Sequence, residues 1–229
     1  MSESSKEFLE RIARIDPRSR EERDAERQGR VFINRRASEP VLADLRKAGF
    51  NVRWVAELRR QGDYREAIPI LLKWMPLVAN HAVKSDIIRT LSVPWAMPEV
   101  WPLFLEEFRR NEDEEIRWVV GSGIRLLADE TKFDALAELA QARQYGRGRQ
   151  MIVLALGEMK DPRAVDVLIG QLDDPQVAIV AIMALGTLRA EAARTHIERF
   201  LNDPIPAHRR EAKKAIAAID RALPRRSRK

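Results

Sequence analysis

The feature that most constrains the fold of this chain is an internal repeat of its apolar residues. Ala155-Leu156-Gly157 recurs as Ala184-Leu185-Gly186, 29 residues later, and Asp174-Pro175 recurs as Asp203-Pro204 at the same offset. Earlier in the chain the offset is 33 residues, which relates Val83, Ile87 and Leu91 to Ile116, Val120 and Ile124. Such a drifting period with matching apolar positions is typical of stacked helix pairs, each too small to bury its apolar face alone.

Each repeat unit contains two amphipathic helices joined by a short polar turn. In the fourth unit we predict a first helix over Ala164–Leu172 and a second from about Gln176 to Leu188. Asp173-Asp174-Pro175 separates them, because proline cannot continue a helix and disfavours a helical conformation in the residue before it. The pattern predicts an all-α superhelix, a solenoid of about five helix pairs, at 64–93, 98–128, 132–159, 161–188 and 190–220.

These repeats resemble the HEAT family. The residues that carry the resemblance are LALGEMKDPRAVDVLIGQLDDPQVAIVAIMALGTL, from Leu154 to Leu188. The third and fourth units are most similar to the short HEAT-like repeats of phycobilin lyase subunits, and the resemblance covers about residues 64–220. It implies an architecture and almost no activity, because the matching positions are packing positions.

The N-terminal residues 1–37 are predicted to lie outside the solenoid. Residues 4–15 have the pattern of an amphipathic helix, with Phe8, Leu9, Ile12 and Ile15 on one stripe. Residues 18–30 are so polar that they form either a solvated helix or a mobile linker.

Residues 38–62 are predicted to cap the first repeat. A helix over Glu39–Ala48 would end at Gly49, since glycine favours the left-handed conformation that follows a helix. Asn51 is the expected N-cap of a second helix, Val52–Arg60.

Charge and composition narrow the class of function. The net charge is +6, but residues 221–229 hold five basic groups and no acidic one, which leaves the rest of the chain at +1. We therefore expect a disordered basic tail over 221–229 and regard nucleic acid as an unlikely partner. The absence of cysteine excludes disulfides and thiolate metal sites. The charged N-terminus lacks the pattern of a secretory signal, and no apolar run approaches the ~20 residues of a membrane span, so a cytoplasmic protein is expected.

No residue pattern indicates catalysis. His81, His196 and His208 are scattered without partners at metal-binding spacing. Gly121-Ser122-Gly123 lies within a predicted helix, whereas a nucleophile elbow or phosphate loop needs a turn between a strand and a helix. The sequence predicts neither a catalytic residue nor a metal or cofactor.

A basic residue recurs at the second position of the second helix in four of the five units. The residues at this position are Lys84, Arg117, Arg149, Ala178 and Arg209. Either they form a cationic ladder for an acidic partner, or each ties down the aspartate of its own turn, for which Asp113, Asp174 and Asp203 are suitably placed.

Two apolar features are candidates for a binding surface. Trp118 lies off the core stripe of its helix, so it is either an exposed hot spot or packed onto the neighbouring repeat. Val177–Leu188 is apolar almost all round, and its off-stripe residues belong either to the core or to a groove. The expected partner-binding residues are therefore Trp118, Arg117, Arg149, Ile179, Ile182 and Met183.

The function predicted first is a non-catalytic scaffold that binds a protein or peptide in the concave groove of the solenoid. The alternative is a nucleic-acid-binding helical-repeat protein such as one of the alkyl-base DNA glycosylase type, for which Trp118 and Asp86 are the candidate residues. A bilin lyase subunit is a third possibility, based on the repeat resemblance alone.

Overall fold

The computed structural model describes residues 20–159 and 161–223, and this part of the chain contains helices, turns and loops but no strand. Eleven α-helices lie within these ranges: α1 Arg20–Lys47, α2 Ile68–Trp74, α3 His81–Leu91, α4 Val100–Arg110, α5 Glu114–Leu127, α6 Phe133–Gln141, α7 Gln150–Glu158, α8 Ala164–Gly170, α9 Ala178–Leu188, α10 Arg194–Glu198 and α11 Pro206–Ala222. Short 3-10 helices connect or extend them at Val55–Arg60, Arg65–Ala67, Pro94–Ala96, Glu130–Lys132, Arg143–Arg149, Gln171–Asp173, Glu191–Ala193 and Arg199–Asn202. The all-α superhelix predicted from the repeat is confirmed.

The repeat helices form two rows. Helices α3, α5, α7, α9 and α11, the second helices of the successive pairs, pack against one another as a continuous row. The first helices, α2, α4, α6, α8 and α10, contact one another much less closely. The more closely spaced row of a curved stack lies on its inner side, so we call the second helices the inner row. The surface of this row that faces away from the first helices is the concave face.

Two repeated glycines explain how the inner row packs so closely. A Cβ atom on Gly157 of α7 would lie 2.5 Å from the Cβ of Ala184 on α9. A Cβ on Gly186 of α9 would lie 2.9 Å from the Cα of Ala215 on α11. The Ala-Leu-Gly repeat in the sequence therefore marks the points where neighbouring inner helices approach backbone to backbone.

The fourth helix pair shows how the turns are built. Its first helix, α8, ends at Gly170 and continues as a 3-10 helix to Asp173, close to the expected end at Leu172. The Asp174 carboxylate accepts a hydrogen bond from the backbone N–H of Gln176 at 3.0 Å, which holds the turn before α9. At its far end α9 terminates with Arg189 in the left-handed region, at φ 52°.

The N-terminal helix is longer than predicted. The helix expected from Glu39 begins at Arg20 in the structure and runs through Pro40 without a break. Its second half is anchored by Val41 and Leu45, which are fully buried. Over 20–30 the solvated helix is thus observed and the linker alternative is wrong, while the amphipathic helix expected over 4–15 lies outside the described residues.

The cap differs from prediction in its second helix. Gly49 adopts φ 90° and ends α1 as expected. Asn51, however, is not an N-cap: the following helix is a 3-10 helix over Val55–Arg60. The Glu57 carboxylate instead accepts a hydrogen bond from the backbone N–H of Arg53 at 2.8 Å, so an acid inside the helix performs the capping.

The C-terminal helix extends into the segment that was expected to be a tail. Helix α11 includes Arg221 and Ala222, and the remaining tail residues, 224–229, lie outside the described residues. Across the described ranges, no helix has both the length and the apolar content needed to cross a membrane.

Candidate functional site

Arg149 was expected to line the groove, but its side chain is fully buried. Its guanidinium group donates to the Asp174 carboxylate at 2.6 Å, to the Ala140 carbonyl at 3.0 Å and to the Gly146 carbonyl at 3.0 Å. It therefore ties the start of α7 to the turn of its own pair and to the turn of the next pair. The expectation that Arg149 contacts a partner is wrong, because neighbouring helix pairs enclose it completely.

Arg117 is also an internal residue. Only 8% of it is exposed, and its guanidinium group donates to the carbonyls of Phe108 at 3.1 Å, Tyr145 at 3.4 Å and Asn111. The Arg117 guanidinium also lies over the Tyr145 ring, 5.3 Å from its centroid. The prediction that Arg117 is available to a partner is wrong for the same reason as for Arg149.

The other basic residues at this position confirm that the ladder is structural. Lys84 donates to the buried carboxylate of Glu107 at 2.6 Å, and Arg209 donates to the backbone carbonyl of Asp203 at 2.7 Å. Asp113 plays a different part, as the N-cap of α5. The basic residues are engaged inside the stack, but the interpretation that each ties down the aspartate of its own turn is wrong: they donate to backbone carbonyls or to an acid of the next pair.

Asp174 shows the electrostatic consequence of this burial. Burial by itself would raise the pKa of the carboxyl group. The hydrogen bonds from Arg149 and from the Gln176 N–H favour the charged form and outweigh it, so the pKa of Asp174 is held below its ordinary value. The pair is thus ionised and fully hydrogen-bonded inside the stack.

The apolar residues of α9 divide between the core and the surface. Ile182 is fully buried, which corrects the prediction that it lines the groove. Ile179 is partly buried against the core, and Met183 is 41% exposed. Neighbouring inner helices cover α9 on both sides, so only a narrow strip of it remains accessible.

Trp118 is the predicted residue whose environment best suits binding. It is 40% exposed and lines a depression of about 430 Å³ bounded by α3, α5, α7 and the loop before α7. The side chains around this depression are His81, Arg89, Glu114, Glu115, Trp118, Val119, Arg147 and Gln150. We call it the Trp118 depression.

The charges in the Trp118 depression are not those predicted from the sequence. Arg89 and Arg147 supply its positive charge, and among the described residues neither guanidinium group has a hydrogen-bond or ion-pair partner. Glu114 accepts a hydrogen bond from the Arg147 backbone N–H at 3.1 Å, and Glu115 lies 3.2 Å from the Nε2 atom of His81. Sequence reasoning missed both arginines, although the polar loop RQYGRGR was a usable signal for Arg147.

Asp86 and Trp118 do not share a cavity. Asp86 lines a smaller cavity with Trp54 and Val83, on the side of α3 that faces the N-terminal cap. Burial raises the pKa of Asp86, opposed by the charges of Arg59 and Arg89. The aromatic residue and the acid that a base-excising enzyme would need are therefore apart.

Comparison with known proteins identifies the repeat. The family model for HEAT repeats matches residues 101–180, from the start of α4 to the start of α9. No curated protein matches the chain, and the narrower likeness to phycobilin lyase subunits stays a prediction. The matched residues cover the closely packed inner helices α5 and α7 and the buried Arg149–Asp174 junction. Residues 101–180 of the chain are therefore similar to HEAT repeats.

Proposed function

We propose that this protein is a non-catalytic scaffold that binds a protein partner on the concave face, with Trp118 as the principal anchor. The single observation that carries the proposal is an indole ring left 40% exposed within a depression on the inner row. Tryptophan is enriched among residues that dominate binding energy, particularly in pockets that a partner can seal from water. HEAT-type solenoids present extended concave surfaces suited to this use.

The surface extends beyond one residue. Trp118, Gln150 and Ile179 each directly follow a buried residue of the basic-ladder position, which is occupied by Arg117, Arg149 and Ala178. They therefore occupy equivalent places in successive repeats. Met183 lies one turn further along α9, where it borders a second depression against α11. Successive helices thus align partly apolar side chains along one face, as an extended binding strip requires.

The proposal is tested by affinity capture from native cell extract followed by quantitative mass spectrometry. Wild-type protein is compared with Trp118→Ala, and Trp95→Ala serves as the matched control because Trp95 is 39% exposed on the 3-10 helix between α3 and α4. We expect Trp118→Ala to lose partners that Trp95→Ala retains, while thermal melts show both variants folded. Unchanged capture by folded Trp118→Ala would refute this surface as the binding site.

A further inference from the structure

Hydrogen-bond donors without acceptors converge on the Trp118 depression. Arg89 and Arg147 are exposed, and neither guanidinium group is paired within the described ranges. The indole N–H of Trp118 likewise has no acceptor among the residues described. Most other arginines of the stack are engaged in ion pairs or with carbonyls, as Arg125 is with Glu158. The depression therefore presents an apolar platform flanked by two unused guanidinium groups.

The depression holds as many glutamates as arginines, but none of the described carboxylates forms an ion pair with Arg89 or Arg147. Glu114 is held by the backbone N–H of Arg147, and Asp113 is committed to the first N–H groups of α5. Glu115 points toward His81 rather than toward either arginine. An incoming carboxylate would thus meet donors on the arginine side without displacing an existing ion pair.

Resting on the proposed function, we propose that the partner presents an acidic peptide segment, with one or two carboxylates beside an aromatic or branched apolar residue. The guanidinium fork matches a carboxylate bidentately, and Trp118 offers the apolar surface for the neighbouring side chain. A depression of about 430 Å³ is large enough for one such anchor. A continuous phosphate backbone fits less well, because it would carry several negative charges past Glu114 and Glu115, whereas one or two carboxylates can stay on the arginine side of the depression.

The probe for the test is a phage-displayed library of random short peptides, selected against the full-length chain. Enriched peptides are resynthesised with a fluorophore and titrated by fluorescence polarisation. The variants are Trp118→Ala and the double charge reversal Arg89→Glu/Arg147→Glu. Arg60→Glu/Lys213→Glu is the matched control, since both residues are exposed, have no hydrogen-bond or ion-pair partner among the described residues, and lie outside the depression.

We expect enriched peptides to combine Asp or Glu with Phe, Trp or Leu, and both depression variants to weaken binding by about tenfold or more. The control should bind as wild type, and lysine-substituted peptides should regain affinity for the charge-reversed variant. Enrichment of neutral or basic peptides that still need Trp118 would overturn the acidic partner and leave the proposed surface standing. Peptides indifferent to Trp118→Ala, or an empty selection, would overturn both. Charge-dependent binding of single-stranded DNA in place of peptides would assign the surface to nucleic acid.

Discussion

The repeated glycines of the inner row make a quantitative prediction. In Gly157→Ala the new methyl group would stand 2.5 Å from the Cβ and 2.7 Å from the Cα of Ala184, closer than packed carbon atoms allow. The neighbouring backbone would have to shift, and overpacking of this kind costs typically about 1–3 kcal/mol. The alanine recovers about 1 kcal/mol of helix propensity, so a net loss of up to about 2 kcal/mol is expected.

Gly170→Ala is the matched control for this experiment. Gly170, like Gly157, lies in the last turn of its helix, but a Cβ there has no atom within 4 Å. This substitution should therefore stabilise the protein by about 0.5–1 kcal/mol through backbone entropy alone. The two variants should differ in melting temperature by roughly 2–4 °C for each kcal/mol that separates them.

The assay is urea unfolding followed by circular dichroism, with a compensating double variant as the decisive sample. Gly157→Ala combined with Ala184→Gly removes the opposing methyl group, so the pair should be more stable than the sum of the single changes implies. If Gly157→Ala is as stable as Gly170→Ala, close backbone approach is not the reason for glycine at this position. If Ala184→Gly brings no recovery, the clash lies with the backbone of Ala184 rather than with its methyl group.

Three further changes test the buried features. Asp174→Ala leaves Arg149 buried without its carboxylate and should cost about 3–5 kcal/mol in urea unfolding at pH 7. Because the folded pKa of Asp174 is lowered, the stability it confers is present above the ordinary aspartate pKa and is lost as pH falls through the folded value, so the variant should show a shallower acid destabilisation than wild type. Ile182→Ala should cost about 2–5 kcal/mol whereas the adjacent Met183→Ala costs far less, and similar melting temperatures for the two would contradict their burial. Arg189→Gly relieves a left-handed conformation at the end of α9 and should raise the melting temperature by a few degrees, as about 1 kcal/mol of relief implies; an unchanged or lower value would refute that strain.

The fold could be predicted from the sequence because the residues that repeat are the ones that pack neighbouring helices together. Gly157 and Gly186 recur at the interhelical contacts, and Asp174-Pro175 marks a turn. The repeat length and the turn residues together define the helix pairs. The start of α1 at Arg20 was less predictable than its end, because proline is rare inside a helix and Pro40 lies in the first turn of the helix predicted from Glu39.

The binding surface was less predictable, for a physical reason. The apolar stripe in the sequence shows which side of a single helix is buried. Each helix in the middle of the inner row is, however, covered by the inner helices before and after it as well as by the first helix of its own pair. Ile182 and Arg149 are off the stripe and nevertheless buried by those neighbours. Arg89 and Arg147 stand out only once the depression around Trp118 brings α3 and the loop before α7 together.

The buried Arg149–Asp174 contact bears on how an array like this can change length. Arg149 needs an acid in the turn of whichever unit follows it, and Asp203 occupies the equivalent place 29 residues on. Excising one 29-residue repeat, such as residues 161–189, would bring Asp203 to the guanidinium group and leave no buried charge without a partner. Arg117 relies on backbone carbonyls, which any successor supplies. The Arg149 junction thus requires an acid in the turn of the unit that follows, whereas the Arg117 junction before it accepts any unit with the same backbone shape.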